Sequence, residues 1–242
     1  MPQPYEALFK GYRHLLDTHQ GMDFGALAVA RRLAKAFDAP VFEATTTRLL
    51  VDLNRSVGHP ALHSEATRHL PLHQRRRLVD AWWRPHREEV ERAVERAISS
   101  GHRVIHVASH SFTPELHGEL RRADVGLLYD PARPGEGRLA RLWQRELQAF
   151  APEPSAQLPW RVRLNYPYRG RGDGLTSTLR KRWPPGRYVG IELELNQRHV
   201  FAGGSELERI EQALVDSLRR ALVAFADAQA SSGEPAPPRR NA

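Results

Sequence analysis

The chain has 242 residues, 40% of them hydrophobic, which is enough apolar mass to bury one sizeable core. It contains no cysteine, so disulfides and thiolate nucleophiles are excluded, and any metal must be held by His, Asp, Glu or water. The formal charge of +8 raises nucleic acid as a partner, because cationic side chains gain affinity by releasing phosphate counterions. Lysine occurs only at Lys10, Lys35 and Lys181, however, and arginine is scattered over every segment, so the excess reads as a bias towards Arg and argues against a nucleic-acid patch.

No apolar run approaches the roughly 20 residues of a membrane span. The opening MPQPYEALFKGYRHLL lacks a charged-then-apolar leader pattern, and a cytoplasmic protein is expected.

In chain order, Asp23 is placed to cap a helix running to Phe37, since Leu27, Ala30, Leu33, Ala34 and Phe37 fall on one face at helical spacing. VFEA and RLLVDL then read as buried strands, which places Asn54 and Arg55 just beyond a strand end. Residues 72–100 carry a helical pattern through Leu78, Trp82, Val90, Val94 and Ile98, interrupted at Pro85 and closed by Gly101.

VIHVASH reads as the best central strand, followed by VGLLYD and a helix over about 136–150. WRVRLNYP and RYVGIELELN are further strands, separated by a Gly-rich loop and a short helix around 175–182. Ser205 and Glu208 form a capping box ahead of a last helix, with Leu207, Ile210, Leu214, Leu218, Leu222 and Phe225 down one face. One domain over residues 1–230 and a disordered tail over 231–242 are expected. Alternating strands and helices predict an α/β sandwich with a mostly parallel sheet, whose ligands bind beyond the carboxyl ends of strands.

Several polar residues fall at such ends. Glu192 and Glu194 share one face of a strand whose Ile191, Leu193 and Leu195 point the other way, so at least one carboxylate must find partners, stay solvated or act as a base. His110 and Ser111 follow an apolar strand, where an imidazole serves as a metal ligand or merely as a hydrogen-bonded strand cap. His102, His106 and His110 share a parity, but their span of about 27 Å excludes three ligands on one metal. No HExxH occurs, and RGRGDG has neither dinucleotide nor Walker spacing, so it reads as a mobile or closely approached loop with Asn165, Tyr166, Tyr168 and Arg169 at its base.

Taken in order, TTTRLLVDLNR, VIHVASHSFTP, NYPYRG and GIELELNQ resemble the successive motifs of the N-formylglutamate amidohydrolase family, over about residues 4–200. DTHQGMDFGA resembles that family's early Asp/His segment. The family is similar to zinc carboxypeptidases, which implies a three-layer α/β sandwich with a mixed, mostly parallel sheet, hydrolysing an N-acylated amino acid with a divalent metal, zinc.

By that resemblance Arg48 polarises the scissile carbonyl, Asn54 and Arg55 clasp a substrate carboxylate, and Ser111, Asn165, Tyr168 and Arg169 line the substrate site. His110 would ligate the metal. Glu194 would deprotonate a water and hand the proton to the leaving nitrogen, with Glu192 a secondary carboxylate.

The family opens with a strand and a His-containing turn resembling EHGGN, and nothing equivalent precedes Tyr5, so a truncated start is expected, with Asp17, His19 or Asp23 left to complete the metal site. A catalytically silent protein that binds a small carboxylate is the alternative reading.

Overall fold

The computed structural model describes residues 3–150 and 159–231. Among the described residues six strands are formed: β1 (Val104–Phe112), β2 (Glu115–Leu116), β3 (Glu119–Leu120), β4 (Val125–Leu128), β5 (Val162–Leu164) and β6 (Tyr188–Asn196). β1, β6, β4 and β5 make the central sheet in that order, and β2 and β3 form a separate hairpin. The β1–β6 and β4–β5 pairs are parallel and the β6–β4 pair is antiparallel, so the sheet is mixed and mostly parallel.

The alternation in IELEL decides how β6 is used. Ile191, Leu193 and Leu195 are fully buried and pack with Trp143 and Leu147 of α5 (Pro134–Ala149), Leu214 and Leu218 of α8 (Gly204–Ser231), and Val29 and Leu33 of α2 (Ala26–Phe37). On the opposite side, Tyr188 packs with Val90 and Val94 of α4 (Arg84–Ser99) and with Leu175 and Leu179 of α6 (Leu175–Arg182). Helices on both faces of one sheet give three layers, as expected from the alternating pattern.

Four local expectations are corrected. RLLVDL is buried, with Leu50 and Val51 fully enclosed beside Phe9, Leu62 and Leu78, yet it forms turns instead of a strand. Its polar backbone is satisfied without a ladder, because the Ser64 and Thr67 hydroxyls donate to the Leu49 and Leu50 carbonyls and Asp52 N–H donates to Leu62. VFEA is not a strand either, and Val41 is exposed. VIHVASH does form a strand, but β1 stands at the end of the sheet order and is half-buried along most of its length, which corrects its central placement.

The fourth correction concerns capping. α2 begins at Ala26 behind Gly25, which has φ 77°, and Asp23 does not cap it with its side chain, because that carboxylate is engaged elsewhere. Similarly Ser205 lies inside the first turn of α8 and not ahead of it.

The interruption expected at Pro85 is present as a π-helical turn: α3 (Leu72–Leu78) runs through Val79–Trp83 into α4, and the proline, which has no N–H to continue the ladder, follows just after it. Two short helices, α1 (Arg13–Leu16) and α7 (Gln197–Ala202), complete the set. No helix among the described residues is long and apolar enough to cross a membrane. Of the tail expected over 231–242, all but Ser231 lies outside the described residues.

Candidate active site

The parallel register of β1 and β6 sets His110 beside Glu194 and Ala108 beside Glu192. Adjacent strands lie about 4.8 Å apart, so the imidazole and the carboxylate emerge side by side near the carboxyl ends of both strands. Asp23, from the turn before α2, completes the group: its Oδ2 lies 2.9 Å from His110 Nδ1, and Arg48 Nη1 stands 3.3 Å from its Oδ1.

Glu194 is buried, and its Oε2 has no hydrogen-bond partner among the described residues. Burial pushes its carboxyl up to about 8; His110 and Arg48 oppose the rise, while Asp23 and Glu192 add to it. Burial disfavours the charged form of His110, but the Asp23 hydrogen bond, with the charges of Asp23, Glu194 and Glu192, pushes it up to about 9. Burial acts to raise Asp23 as well, and His110 and Arg48 overcome it and hold the carboxyl below its usual range. The group is thus a histidine favoured in its charged form by Asp23, beside a carboxyl that burial raises towards neutrality.

Glu192 shares the face of Glu194 and accepts a short hydrogen bond from the Thr176 hydroxyl. Burial acts to lower the Arg48 guanidinium, but the charges of Asp23, Asp52 and Glu194 overcome it and hold the group above its ordinary value.

The other residues singled out in the sequence fall into two sets. Asn54 Oδ1 accepts the Leu175 N–H at 2.9 Å, so this side chain tethers the start of α6. Arg55 donates to the Asp173 carbonyl at 2.7 Å and lies 3.9 Å from Asp52, so its fork is partly engaged within the protein. Ser111 is buried and its Oγ accepts from Gln197 Nε2 at 3.1 Å. Asn165, with φ 51°, uses Oδ1 to accept the Tyr129 and Gly170 N–H groups, which folds the loop after β5. Tyr168 and Arg169 are exposed. Asp17 lies on the surface beside Glu6, Phe9, Arg13 and Leu16, and the His19 ring has no hydrogen-bond partner among the described residues, so neither joins Asp23 at His110.

Four residues of the site escaped the sequence reading. Arg87 is 1% exposed and donates to the carbonyls of Leu53, Asn54 and Arg55, with its guanidinium 5.0 Å from the Trp83 ring. The signal was present: Arg87 stands three and seven residues before Val90 and Val94, on the buried stripe of α4. Asp173 accepts from the Ser56 N–H and hydroxyl and so latches the glycine loop to the DLNR segment. Asp52 shapes that segment by accepting the Asn54 N–H, and Arg121 lies against Tyr168.

A hydrolytic zinc needs three protein donors at about 2.0–2.2 Å. Among the described residues no group of three or more His, Asp or Glu could hold an ion. The Asp23 oxygens are taken by His110 and Arg48, so the described donors do not by themselves make up a complete metal site.

A three-layer α/β fold with ionisable side chains gathered beyond the carboxyl ends of parallel strands belongs to the α/β enzymes. Within that class, the chain belongs to the N-formylglutamate amidohydrolase family, whose sequence model matches residues 2–201. The fold is similar to the crystal structure of a gene product of Agrobacterium tumefaciens, with a TM-score of 0.76 and 27% identity over 93% of this chain and 87% of that one. It is also similar to N-formylglutamate amidohydrolase from Ralstonia eutropha JMP134, with a TM-score of 0.60 and 18% identity over 84% of this chain and 83% of that one. No curated protein matches the chain.

Proposed function

We propose that the chain hydrolyses the amide bond of an N-acylated amino acid such as N-formylglutamate, with Glu194 as the proton carrier. The observation that carries this reading is the buried, unpartnered Oε2 of Glu194 beside the His110–Asp23–Arg48 group. A carboxyl raised to about 8 is matched to proton transfer near neutrality.

In this scheme the Glu194 carboxylate takes a proton from a water as the water oxygen bonds to the amide carbon. The carbonyl electrons move onto oxygen, where Arg48 and the His110 imidazolium supply positive charge and N–H donors. As the C–N bond breaks, Glu194 returns its proton to the departing nitrogen, leaving a carboxylic acid and a free amine. Arg55 clasps the carboxylate of the amino-acid part, and Tyr168 and Arg169 border the opening.

The zinc implied by the family's similarity to carboxypeptidases belongs to the proposal as a ligand to be titrated. His110 is its first candidate donor among the residues named above, and none of the steps described depends on it. Purified chain incubated with N-formyl-L-glutamate should release formate and glutamate in equal amounts; release at the uncatalysed rate would support the silent, carboxylate-binding alternative.

A further inference from the structure

Gly126 interrupts the apolar run of β4, and main chain from elsewhere fills the space a side chain would take. A Cβ added there would coincide with the Tyr166 carbonyl oxygen and would stand 3.2 Å from Glu194 Cβ. Gly126 and Glu194 are paired across β4 and β6, so the Tyr166 oxygen lies on the Glu194 face, where a cross-strand neighbour of that carboxyl would be.

The direction of this carbonyl is fixed by its surroundings. Asn165 N–H donates to the Leu127 carbonyl at 2.9 Å, and its Oδ1 accepts the Tyr129 and Gly170 N–H groups. The Tyr166 ring stands edge-on to Phe112, with 6.1 Å between ring centres, and Phe112 is buried at the end of β1. Among the described residues no N–H or O–H donates to the Tyr166 oxygen. A carbonyl packed on a buried strand position without a donor is costly, and a ligand N–H would satisfy it.

His110, Glu194 and Gly126 form one row across β1, β6 and β4. The row therefore carries a cationic donor at one end, the carboxyl in the middle and a carbonyl acceptor at the other end, over about 10 Å. A trans amide points its oxygen and its N–H in opposite directions and, with a hydrogen bond at each end, spans about 8 Å. Such an amide fits the row with its oxygen towards His110, its N–H towards Tyr166 and its C–N bond beside Glu194.

We propose that the Tyr166 main-chain carbonyl accepts the N–H of the scissile amide, so that the site takes secondary amides and discriminates against analogues lacking that hydrogen. The assignment rests on the amide-hydrolase reading. Once water has added to the carbonyl carbon, an N–H directed at Tyr166 leaves the nitrogen lone pair facing Glu194. That lone pair takes the Glu194 proton, the C–N electrons become the lone pair of the departing amine, and the oxyanion electrons restore the C=O bond. Gly126 is a positioning residue, since it acts only by admitting the Tyr166 carbonyl.

The test changes one atom of the ligand. NMR titration of the full chain compares N-acetyl-L-glutamate with O-acetyl-L-2-hydroxyglutarate, in which an ester oxygen replaces the N–H, and acetate signals report any hydrolysis. The wild type should bind the amide about 10–100-fold more tightly, as expected when a buried acceptor is left unpaired. The amide proton of 15N-labelled N-acetyl-L-glutamate should move downfield and exchange more slowly with solvent on binding. Gly126→Ala, whose Cβ displaces the carbonyl, should bring the affinity ratio close to one and return the amide proton to its free exchange rate.

Equal affinity of the wild type for amide and ester overturns the proposal, as does failure to bind either compound or a bound amide proton that exchanges at its free rate. A folded Gly126→Ala protein that keeps the full preference overturns it too; should that variant not fold, the two wild-type measurements decide. Preference for the amide without acetate release removes the hydrolase reading and leaves the Tyr166 contact standing, whereas acetate release without preference does the reverse.

Discussion

His110 and Glu194 are paired residues on neighbouring parallel strands, and the first is raised to about 9 while the second is raised to about 8. Burial alone would push the imidazole the other way; Asp23, bonded at 2.9 Å, reverses the direction. Two groups are thus held in the protonation states opposite to those they would have in water at pH 7, and each is available to exchange a proton with a substrate.

Replacing Glu194 by Gln keeps the shape and removes the proton carrier. Turnover of N-formyl-L-glutamate should fall by about 10²–10⁴-fold, the usual contribution of a positioned acid–base group. The thermal midpoint should not fall, since no protein hydrogen bond to Oε2 is lost among the described residues. Wild-type turnover in the variant would assign the base role to another group.

The pH dependence follows from the same pair. As pH rises towards 8, more Glu194 becomes carboxylate, and above about 9 the His110 imidazolium is lost, so kcat/KM should peak between these values. Asp23→Asn removes the hydrogen bond and charge that raise His110, and the alkaline limb of the profile should therefore move to lower pH. A profile that stays in place in this variant would separate Asp23 from the titration.

Stability should carry a matching signature. Glu194 has the ordinary value 4.5 when unfolded and about 8 when folded, so between these pH values the unfolded chain releases a proton that the folded chain retains. The folded state accordingly loses stability as pH rises through this window. His110 acts in the same sense, its contribution being complete below 6.5 and lost as pH rises through about 9. Denaturant midpoints from pH 5 to 8 should decline more steeply in the wild type than in Glu194→Gln; equal slopes would count against a raised Glu194.

The strands that carry these groups were legible because their signal is local. VIHVASH and IELEL are apolar or alternating, and the helices over 134–149, 175–182 and 204–231 announce themselves by periodicity. RLLVDL was misread because burial and branching suggest a strand, whereas the decisive fact is that Ser64 and Thr67 answer its carbonyls.

Asp23 was misread for a similar reason. An Asp before a helical pattern is a cap by local rules, but here its partner is His110, 87 residues further on. The pairing of His110 with Glu194 depends on the register of two distant segments, which composition and spacing do not encode. The resemblance named His110 as a metal ligand, Glu194 as a base and Asp23 as one of three stand-in ligands, without joining Asp23 to His110 by a hydrogen bond.

Arg87 tests how the DLNR segment is held. Arg87→Met removes the donor to three carbonyls in a buried setting and should lower stability by about 2–4 kcal/mol. Since Asn54 and Arg55 are the residues released, KM should rise more than kcat falls. A fully stable variant with wild-type KM would show that Trp83 Nε1, which also donates to the Arg55 carbonyl at 2.7 Å, is sufficient.

Zinc binding reads the donor set directly. The imidazole must be neutral to ligate, and here Asp23 holds it protonated, so a zinc ion taken up at His110 has to displace a proton. Apparent affinity should therefore climb by about tenfold per pH unit below 9, with proton release visible as buffer-dependent heat in calorimetry. His110→Ala should abolish this pH-linked site, and Asp23→Asn, which lowers the histidine, should flatten the dependence. Saturable zinc binding that ignores pH and survives His110→Ala would place the metal away from the β1–β6 pair and detach it from the hydrolytic reading.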